Sequence, residues 1–323
     1  MPQKMIIDTD TASDDAVALA MALRSAEVEV LAITIVAGNV PMKQGSRNAR
    51  YTVELCGRAV PVYEGAPRPL AREPYPATFF HGQDGLGDQG YPAPKTPATP
   101  GDAVTALVDA VRRNPGVTLV TLGPLTNLAL ALREAPDLVD RVGRCVVMGG
   151  AACTVGNVTP AAEYNIWCDP EAARECFRSG LRIEMVGWEL CRGAANLDEG
   201  DIARCRGIGT ALAHFAIDCN STALEVNHKL FGEPGMSLPD PVAMAIALDP
   251  AVATRTSRHW VDVECEGVLT RGMTVVDQLD VMRRGLESTA GWEWRRAGSE
   301  PNVTVCWEID VKRFKEMLFR SLG

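Results

Sequence analysis

Short runs of branched apolar residues alternate with stretches of helical periodicity along most of the chain. Apolar positions three and four residues apart follow nearly every strand-like run. Alternation of this kind is typical of a mostly parallel sheet that is covered on both faces. We therefore predict an α/β fold with an open, mostly parallel, Rossmann-like central sheet flanked by helices. The pattern predicts strands at residues 5–7, 28–36, 60–63, 117–122, 144–148, 182–186 and 303–309, and helices at 14–24, 40–56, 102–113, 125–133, 169–179 and 310–321.

No linker and no change of composition divides the chain, so we predict a single domain over residues 1–323. The main irregular stretch is 65–101, which contains eight prolines and has no clear period. A loop of that length in a compact domain is usually functional or mobile. A second, shorter loop is predicted at 232–240.

Composition and charge narrow the range of partners. The chain carries 32 Lys and Arg against 41 Asp and Glu, a net charge of −9. Nucleic acids and anionic membranes select basic surfaces, so we expect neither as the main partner. The longest apolar run, 28–37, is interrupted by Glu29 and is too short to span a bilayer. The ten cysteines form no C-x-x-C motif, and we expect reduced thiols in a cytoplasmic protein.

Four carboxylates follow the first predicted strand within eight residues: Asp8, Asp10, Asp14 and Asp15. The carboxyl ends of parallel strands are where open α/β sheets bind ligands. A structural explanation is available for two of them, because Ser13 could cap a helix whose dipole favours Asp14 and Asp15. It leaves Asp8 and Asp10 unexplained. Carboxylates this close repel one another unless a hard cation neutralises them, so the cluster indicates a cation site.

Other cation-related patterns fit less well. An EF-hand fails because its fifth and twelfth positions would be Ala12 and Leu19. A Walker A loop is absent from the sequence. Phosphatases of the haloacid-dehalogenase type also begin with Asp-x-Asp after a strand, which would make Asp8 the nucleophile and Asp10 the acid. That pattern requires Thr or Val where this chain has Ala12, but it remains an alternative.

Further motifs follow the acidic cluster in a fixed order. They are Gly38-Asn39-Val40, His81-Gly82-x-Asp84-Gly85-Leu86-Gly87, Gly123-Pro124-Leu125-Thr126-Asn127-Leu128-Ala129, Met148-Gly149-Gly150-Ala151, Gly156-Asn157, Ala162-Glu163-Tyr164-Asn165-Ile166-Trp167-x-Asp169-Pro170, Asp240-Pro241 and the region 267–277. Together with 8–15 this set resembles the nucleoside hydrolases of the inosine-uridine preferring type, over roughly residues 5–320. A single motif would carry little weight, but the ordered set is specific.

The resemblance implies the nucleoside hydrolase fold and Ca²⁺-dependent hydrolysis of the N-glycosidic bond of ribonucleosides, which gives a free base and ribose. It implies that the Ca²⁺ ligands are Asp10, Asp15, the backbone carbonyl of Thr126, and Asp240. Asp10 would also be the general base on the metal-bound water. A role in purine or pyrimidine salvage and a homodimer or homotetramer are further implications.

The same resemblance assigns the ribose hydroxyls. Hydroxyl recognition needs paired polar groups that are left unmatched when a hydroxyl is missing. The implied contacts are Asp14 and Asn39 at the 2′-hydroxyl, Asn165 at the 3′-hydroxyl, and Met148, Asn157 and Glu163 at the 5′-hydroxyl.

The leaving-group side departs from one branch of the family. That branch has a His immediately before the metal-binding Asp of the late helix, and this chain has Pro239, which carries no proton. His81, His228 and Glu225 are the candidates to replace it, and Trp188 is a candidate to stack on the base. The missing His also leaves open a module that binds ribose or a nucleoside without turning it over.

Overall fold

The computed structural model describes residues 2–232, 234–284 and 300–323. Its strands are β1 (Gln3–Thr9), β2 (Val28–Ile35), β3 (Val62–Glu64), β4 (Thr118–Thr121), β5 (Arg144–Met148), β6 (Ile183–Val186), β7 (Ala253–His259), β8 (Val261–Val263), β9 (Thr274–Val276) and β10 (Val303–Ile309). Its α-helices are α1 (Ser13–Arg24), α2 (Met42–Leu55), α3 (Thr78–His81), α4 (Ala103–Arg113), α5 (Thr126–Glu134), α6 (Leu138–Arg141), α7 (Tyr164–Cys168), α8 (Pro170–Arg178), α9 (Glu199–Ile208), α10 (Ala211–Asp218), α11 (Ser221–Phe231), α12 (Pro239–Leu248), α13 (Val281–Arg284) and α14 (Val311–Leu322).

The first strand and helix form the centre of the molecule. Successive strand side chains face opposite sides of a sheet, and accordingly Met5 and Ile7 pack into one buried cluster while Ile6 packs into another. Helix α1 is buried from its first residue to Leu23. A helix that is buried on every side needs neighbours all round it, and α2, α10, α12 and α14 supply them.

The central sheet places the first strand beside the switch in strand order. Eight strands of the described part are arranged β3-β2-β1-β4-β5-β6-β10-β7. All neighbouring pairs are parallel except β10 with β7, which is antiparallel. Chain order runs outward from β1 to β3 and then resumes at β4 on the other side of β1. Ligands of doubly wound sheets bind beyond the strand ends at this switch point, so the segments after β1 and β4 frame the expected site.

The predicted α/β class with a mostly parallel sheet is confirmed, and the predicted strands and helices lie within a few residues of the observed ones. The stretch 65–101, predicted to be irregular, contains the short helix α3. Strand β7 escaped prediction because five of its seven residues are exposed and no apolar alternation marks an antiparallel edge strand. No helix among the described residues is long and apolar enough to cross a membrane.

Candidate active site

Asp8 is an internal anchor of the sheet. Its Oδ1 accepts hydrogen bonds from the Thr34 hydroxyl of β2 at 2.5 Å and from Asn127 Nδ2 of α5 at 2.8 Å. The side chain is fully buried, and burial raises its pKa to about 7. A phosphatase nucleophile must reach its substrate, so the enclosure of Asp8 argues against the haloacid-dehalogenase alternative.

Asp10 lies beyond the end of β1, and in the folded chain its carboxylate lies between Gly38 and Gly123. Its Oδ2 accepts a hydrogen bond from the backbone N–H of Asn39, whereas its buried Oδ1 has no hydrogen-bond partner among the described residues. A Cβ on Gly38 would lie 2.0 Å from Asp10 Oδ2, and a Cβ on Gly123 would lie 2.8 Å from Asp10 Oδ1. The glycines that follow β2 and β4 therefore leave the space that the Asp10 carboxylate occupies.

Asp14, Asp15 and Asp240 form a compact buried cluster in which carboxylate oxygens of all three lie within 4.8 Å of one another. Burial and the neighbouring carboxylates hold the pKa of Asp240 well above its ordinary value, and burial raises that of Asp14 to about 6. Asp15 is held in place by the Thr9 hydroxyl at 2.5 Å and the Ala12 N–H at 2.9 Å. Helix α12 contributes Asp240 from far along the chain.

The donor set fits a hard cation. Burial and the charge of Asp15 raise the pKa of Asp10 well above its ordinary value, and the charge of Asp10 in turn contributes to the raised pKa of Asp240. A divalent cation would remove this repulsion and would pair with the free Asp10 Oδ1. The distances group Asp14, rather than Asp10, with Asp15 and Asp240. Thr126 begins α5, and its hydroxyl donates to Asp169 at 2.6 Å.

A cavity of about 310 Å³ opens beside this cluster. Nine of the residues selected from the sequence line it, whereas Asp10, Asp15 and Thr126 are buried outside its lining. The nine are Asp14, Asn39, His81, Met148, Asn157, Glu163, Asn165, Trp188 and Asp240.

One part of the cavity wall is built from fixed polar groups. Asn165 Nδ2 donates to the carbonyls of Leu122 at 2.7 Å and Met148 at 3.2 Å, which leaves its buried Oδ1 without a hydrogen-bond partner among the described residues. Glu163 caps α7 and also accepts from the Gly150 N–H at 2.9 Å. Burial raises the pKa of Glu163 to about 7. The unpaired Asn165 Oδ1 is a hydrogen-bond acceptor, and the Glu163 carboxyl group is held in place by backbone N–H groups. This pair of groups suits the recognition of hydroxyl groups.

Aromatic rings and an imidazole form another part of the wall. Phe79, Phe80, His81 and Trp188 all line the cavity, as does Pro239. The His81 ring packs edge-on against Phe80, with ring centroids 4.9 Å apart. Burial lowers the pKa of His81 to about 4, so its imidazole is neutral at pH 7.

Two of the three leaving-group candidates lie outside the cavity lining. His228 is exposed on α11, and Glu225 on the same helix forms an ion pair with Lys229. Helix position explains both cases, because each side chain belongs to the solvent-facing side of α11. His81 is the candidate that the structure brings into the cavity.

Similarity to known proteins identifies the family to which the chain belongs. The family model described as inosine-uridine preferring nucleoside hydrolase matches residues 5–316. The chain belongs to this family. It is 37% identical over 325 residues to the pyrimidine-specific ribonucleoside hydrolase RihA of Salmonella gallinarum, covering 100% of this chain and 99% of that one. It is 36% identical over 324 residues to an uncharacterized protein of Schizosaccharomyces pombe, covering 99% of each chain.

Solved nucleoside hydrolases share the whole fold. The plant nucleoside hydrolase PpNRh1 superimposes with a TM-score of 0.91 at 31% identity, covering 100% of this chain and 99% of that one. A purine-preferring ribonucleoside hydrolase from Gardnerella vaginalis superimposes with a TM-score of 0.87 at 31% identity, covering 99% of this chain and 98% of that one. This nucleoside hydrolase is therefore an enzyme that cleaves N-glycosyl bonds of ribonucleosides, as the motifs indicated.

Two residues at or beside the cavity of this nucleoside hydrolase carried no sequence signal for their position: Asn220 lines it, and Ser13 contacts His81 in its wall. Ser13 does not cap α1, because Ala12 is the N-cap and Ser13 is the first helical residue. Its hydroxyl instead lies 2.8 Å from His81 Nδ1. Asn220 lines the cavity from the start of α11, and its Nδ2 donates to the Ser13 carbonyl at 3.2 Å. Both contacts join segments that are distant in sequence, so no local pattern could have predicted them.

Proposed function

We propose that this nucleoside hydrolase cleaves ribonucleosides with a bound Ca²⁺ and with Asp10 as the general base, the whole chain acting as one domain. The observation that carries the proposal is the free, buried Asp10 Oδ1, whose carboxylate interacts electrostatically with the cluster of Asp14, Asp15 and Asp240 beside a cavity. Water attack on an N-glycosidic bond needs a base on one face of the sugar and stabilisation of the leaving base on the other.

The proposed ligands are Asp10, Asp15, the backbone carbonyl of Thr126, and Asp240. Carboxylate and carbonyl oxygens are the donors that Ca²⁺ prefers. When bound, the ion would lower the pKa of water and orient ribose hydroxyls. Asp14 is the further carboxylate of the cluster, and we assign it to the substrate because it lines the cavity whereas Asp10 and Asp15 do not.

Asp10 is suited to accept a proton from the attacking water. The Asn39 N–H fixes one of its carboxylate oxygens, and the flanking glycines Gly38 and Gly123 confine the group. The other oxygen, Oδ1, has no hydrogen-bond partner among the described residues, so it is the oxygen left for the ion and for the water that the ion would hold. A base held in one orientation loses little entropy when it acts.

The polar wall supplies ribose recognition. We assign Asp14 and Asn39 to the 2′-hydroxyl, Asn165 to the 3′-hydroxyl, and Met148, Asn157 and Glu163 to the 5′-hydroxyl. The free Asn165 Oδ1 accepts from a hydroxyl, and loss of that hydroxyl would leave it unpaired. A carboxylate at Glu163 repels phosphate, so nucleosides are preferred over nucleotides.

The aromatic wall receives the leaving base. Trp188 and Phe80 offer ring faces for stacking, and His81 offers a ring nitrogen. Pro239 occupies the position of a proton donor in one family branch without replacing its function, so we assign that side of the reaction to His81.

We further propose a cytoplasmic role in nucleoside salvage and a homodimer or homotetramer. All ten cysteines are free thiols, which suits a reducing compartment. Val268, Leu269 and Leu279 are strongly exposed apolar side chains that a subunit contact would cover. Light scattering after gel filtration measures the oligomeric state, and a monomer would contradict this part of the proposal.

A nucleoside panel tests the activity. Purified protein is incubated with the common ribonucleosides, their 2′-deoxy forms and a phosphate ester, and reducing sugar and phosphate are measured. Release of ribose supports the proposal, phosphate release supports the phosphatase, and saturable binding without product supports the binding module. Asp10→Asn should abolish ribose release. Exhaustive chelation should also abolish it and Ca²⁺ should restore it; activity that survives chelation would exclude the metal model.

A further inference from the structure

The contact between Ser13 and His81 joins the first residue of α1 to the last residue of α3. Ser13 Oγ and His81 Nδ1 are 2.8 Å apart, and both side chains are buried. Asp14 Oδ1 lies 3.8 Å from Nδ1, which is beyond hydrogen-bond distance. His81 Nε2 has no hydrogen-bond partner among the described residues, and His81 lines the cavity.

Buried amides hold the chain segments on both sides of this contact. The Ser13 carbonyl accepts from Asn220 Nδ2 at 3.2 Å. Asn48 Nδ2 donates both to the Thr11 carbonyl at 3.0 Å and to the Asp84 carbonyl at 2.9 Å, which ties the segment before Ser13 to the loop after His81. The distance between Ser13 and His81 is therefore fixed on both sides.

The direction of this hydrogen bond decides what His81 can do. A buried hydroxyl that keeps its proton unmatched costs about 1–3 kcal/mol, and within the described part of the chain His81 Nδ1 is the acceptor in reach of Ser13 Oγ. Ser13 therefore donates to Nδ1, and the neutral imidazole carries its proton on Nε2.

We propose that Ser13 is a positioning residue that fixes His81 as the Nε2–H tautomer, so that His81 presents a hydrogen-bond donor to the leaving base. This inference rests on the proposed function. As the glycosidic C–N bond breaks, its electron pair moves onto the base, and the Nε2–H donor stabilises the developing negative charge. Ser13 touches neither the base nor the sugar in this account; it acts through His81.

Leaving-group dependence separates positioning from a structural role. One substrate is a natural ribonucleoside, whose departing base needs a hydrogen-bond donor. The other is p-nitrophenyl β-ribofuranoside, whose nitrophenolate leaving group is stable as an anion without one. We expect Ser13→Ala to lower kcat on the nucleoside about 10-fold and His81→Ala about 100-fold, with little change on the nitrophenyl riboside. Because both act through one group, the double variant should be no slower than His81→Ala.

The control for side-chain removal is Ser321→Ala. This change also removes a serine hydroxyl that makes a hydrogen bond, which Ser321 donates to the Leu318 carbonyl at 2.7 Å. It should leave both activities unchanged. Ser13→Thr keeps a hydroxyl and should restore most of the nucleoside activity. Equal losses on both substrates, or no loss on the nucleoside, would overturn the proposal.

The tautomer itself is measured without turnover. The sequence has four histidines, so ¹⁵N NMR of the side chains resolves them, and His81→Gln assigns the signal. We expect the Nε2–H tautomer in the unsubstituted protein and a tautomer mixture in Ser13→Ala. The Nδ1–H tautomer, or identical spectra for the two proteins, would refute the assignment. Failure to hydrolyse any riboside would instead refute the proposed function, because the spectra do not depend on it.

Discussion

The space around Asp10 allows a quantitative test of its role. Replacing Gly38 by Ala would place a Cβ 2.0 Å from Asp10 Oδ2 and 2.8 Å from Pro124 Cδ. Side-chain carbons essentially never approach within 3.0 Å of another heavy atom, so the Asp10 carboxylate must move by about 1 Å. Gly38 lies in the ordinary region of backbone conformation, and the effect is therefore a clash rather than backbone strain.

A displacement of this size should affect chemistry more than folding. A catalytic group misplaced by about 1 Å costs about 100-fold in rate, so we expect Gly38→Ala to lower kcat/KM on a ribonucleoside by about that factor. Gly123→Ala approaches Asp10 Oδ1 to only 2.8 Å and requires a shift of a few tenths of an ångström. Its loss of activity should be clearly smaller.

The assay compares kcat/KM of the variants, with thermal unfolding as a check on folding. Gly207→Ala is the matched control, because Gly207 lies in α9 and its Cβ would meet nothing within 4 Å. It should leave the activity unchanged and stabilise the helix by up to about 1 kcal/mol. Wild-type kcat/KM in Gly38→Ala, or equal losses in the Gly38 and Gly123 variants, would refute the role of Asp10 as a precisely held base.

The remaining predictions concern the rest of the site. Asn127→Ala removes hydrogen bonds to Asp8 Oδ1, the Ile35 carbonyl and the Ala66 N–H, and it should lower the free energy of unfolding in urea by about 3 kcal/mol; a change below 1 kcal/mol would contradict this. The pKa of Glu163 is raised by burial from 4.5 to about 7, so folding favours its protonated form and the free energy of unfolding decreases as pH rises through that window. Glu163→Gln should show a shallower decrease, and parallel pH curves would contradict the cause. Asp240→Asn should weaken Ca²⁺ binding at least 10-fold in calorimetry, and unchanged affinity would exclude Asp240 as a ligand.

The sequence determined the layered fold because the signals involved are local. Apolar runs of strand length mark β1, β2, β5 and β10. A segment with this pattern can bury its apolar residues in few conformations other than the observed one. Strand β7 lacked such a signal, because its place beside β10 follows from pairing between distant segments and from little apolar burial of its own.

The sequence analysis also selected nine residues that line the cavity. Asp14, Asn39, Asn165 and Asp240 lie far apart in sequence, yet all four line one cavity. Their convergence follows from chain topology: the segments after parallel strands meet at one sheet edge, and α12 closes that edge with Asp240. The resemblance of the ordered motifs to the family selected these residues, and the chain topology explains why they converge.

Tertiary structure alone decided where each member of a chemically similar pair lies. Asp8 and Asp10 are two residues apart, but Asp8 lies within β1 and is buried against Thr34, whereas Asp10 lies beyond the end of the strand. His81 and His228 are equally basic by type, and only packing places one in the cavity and the other in solvent. The chemistry of a side chain follows from its residue type, whereas its burial and its contacts depend on segments that meet only when the chain folds.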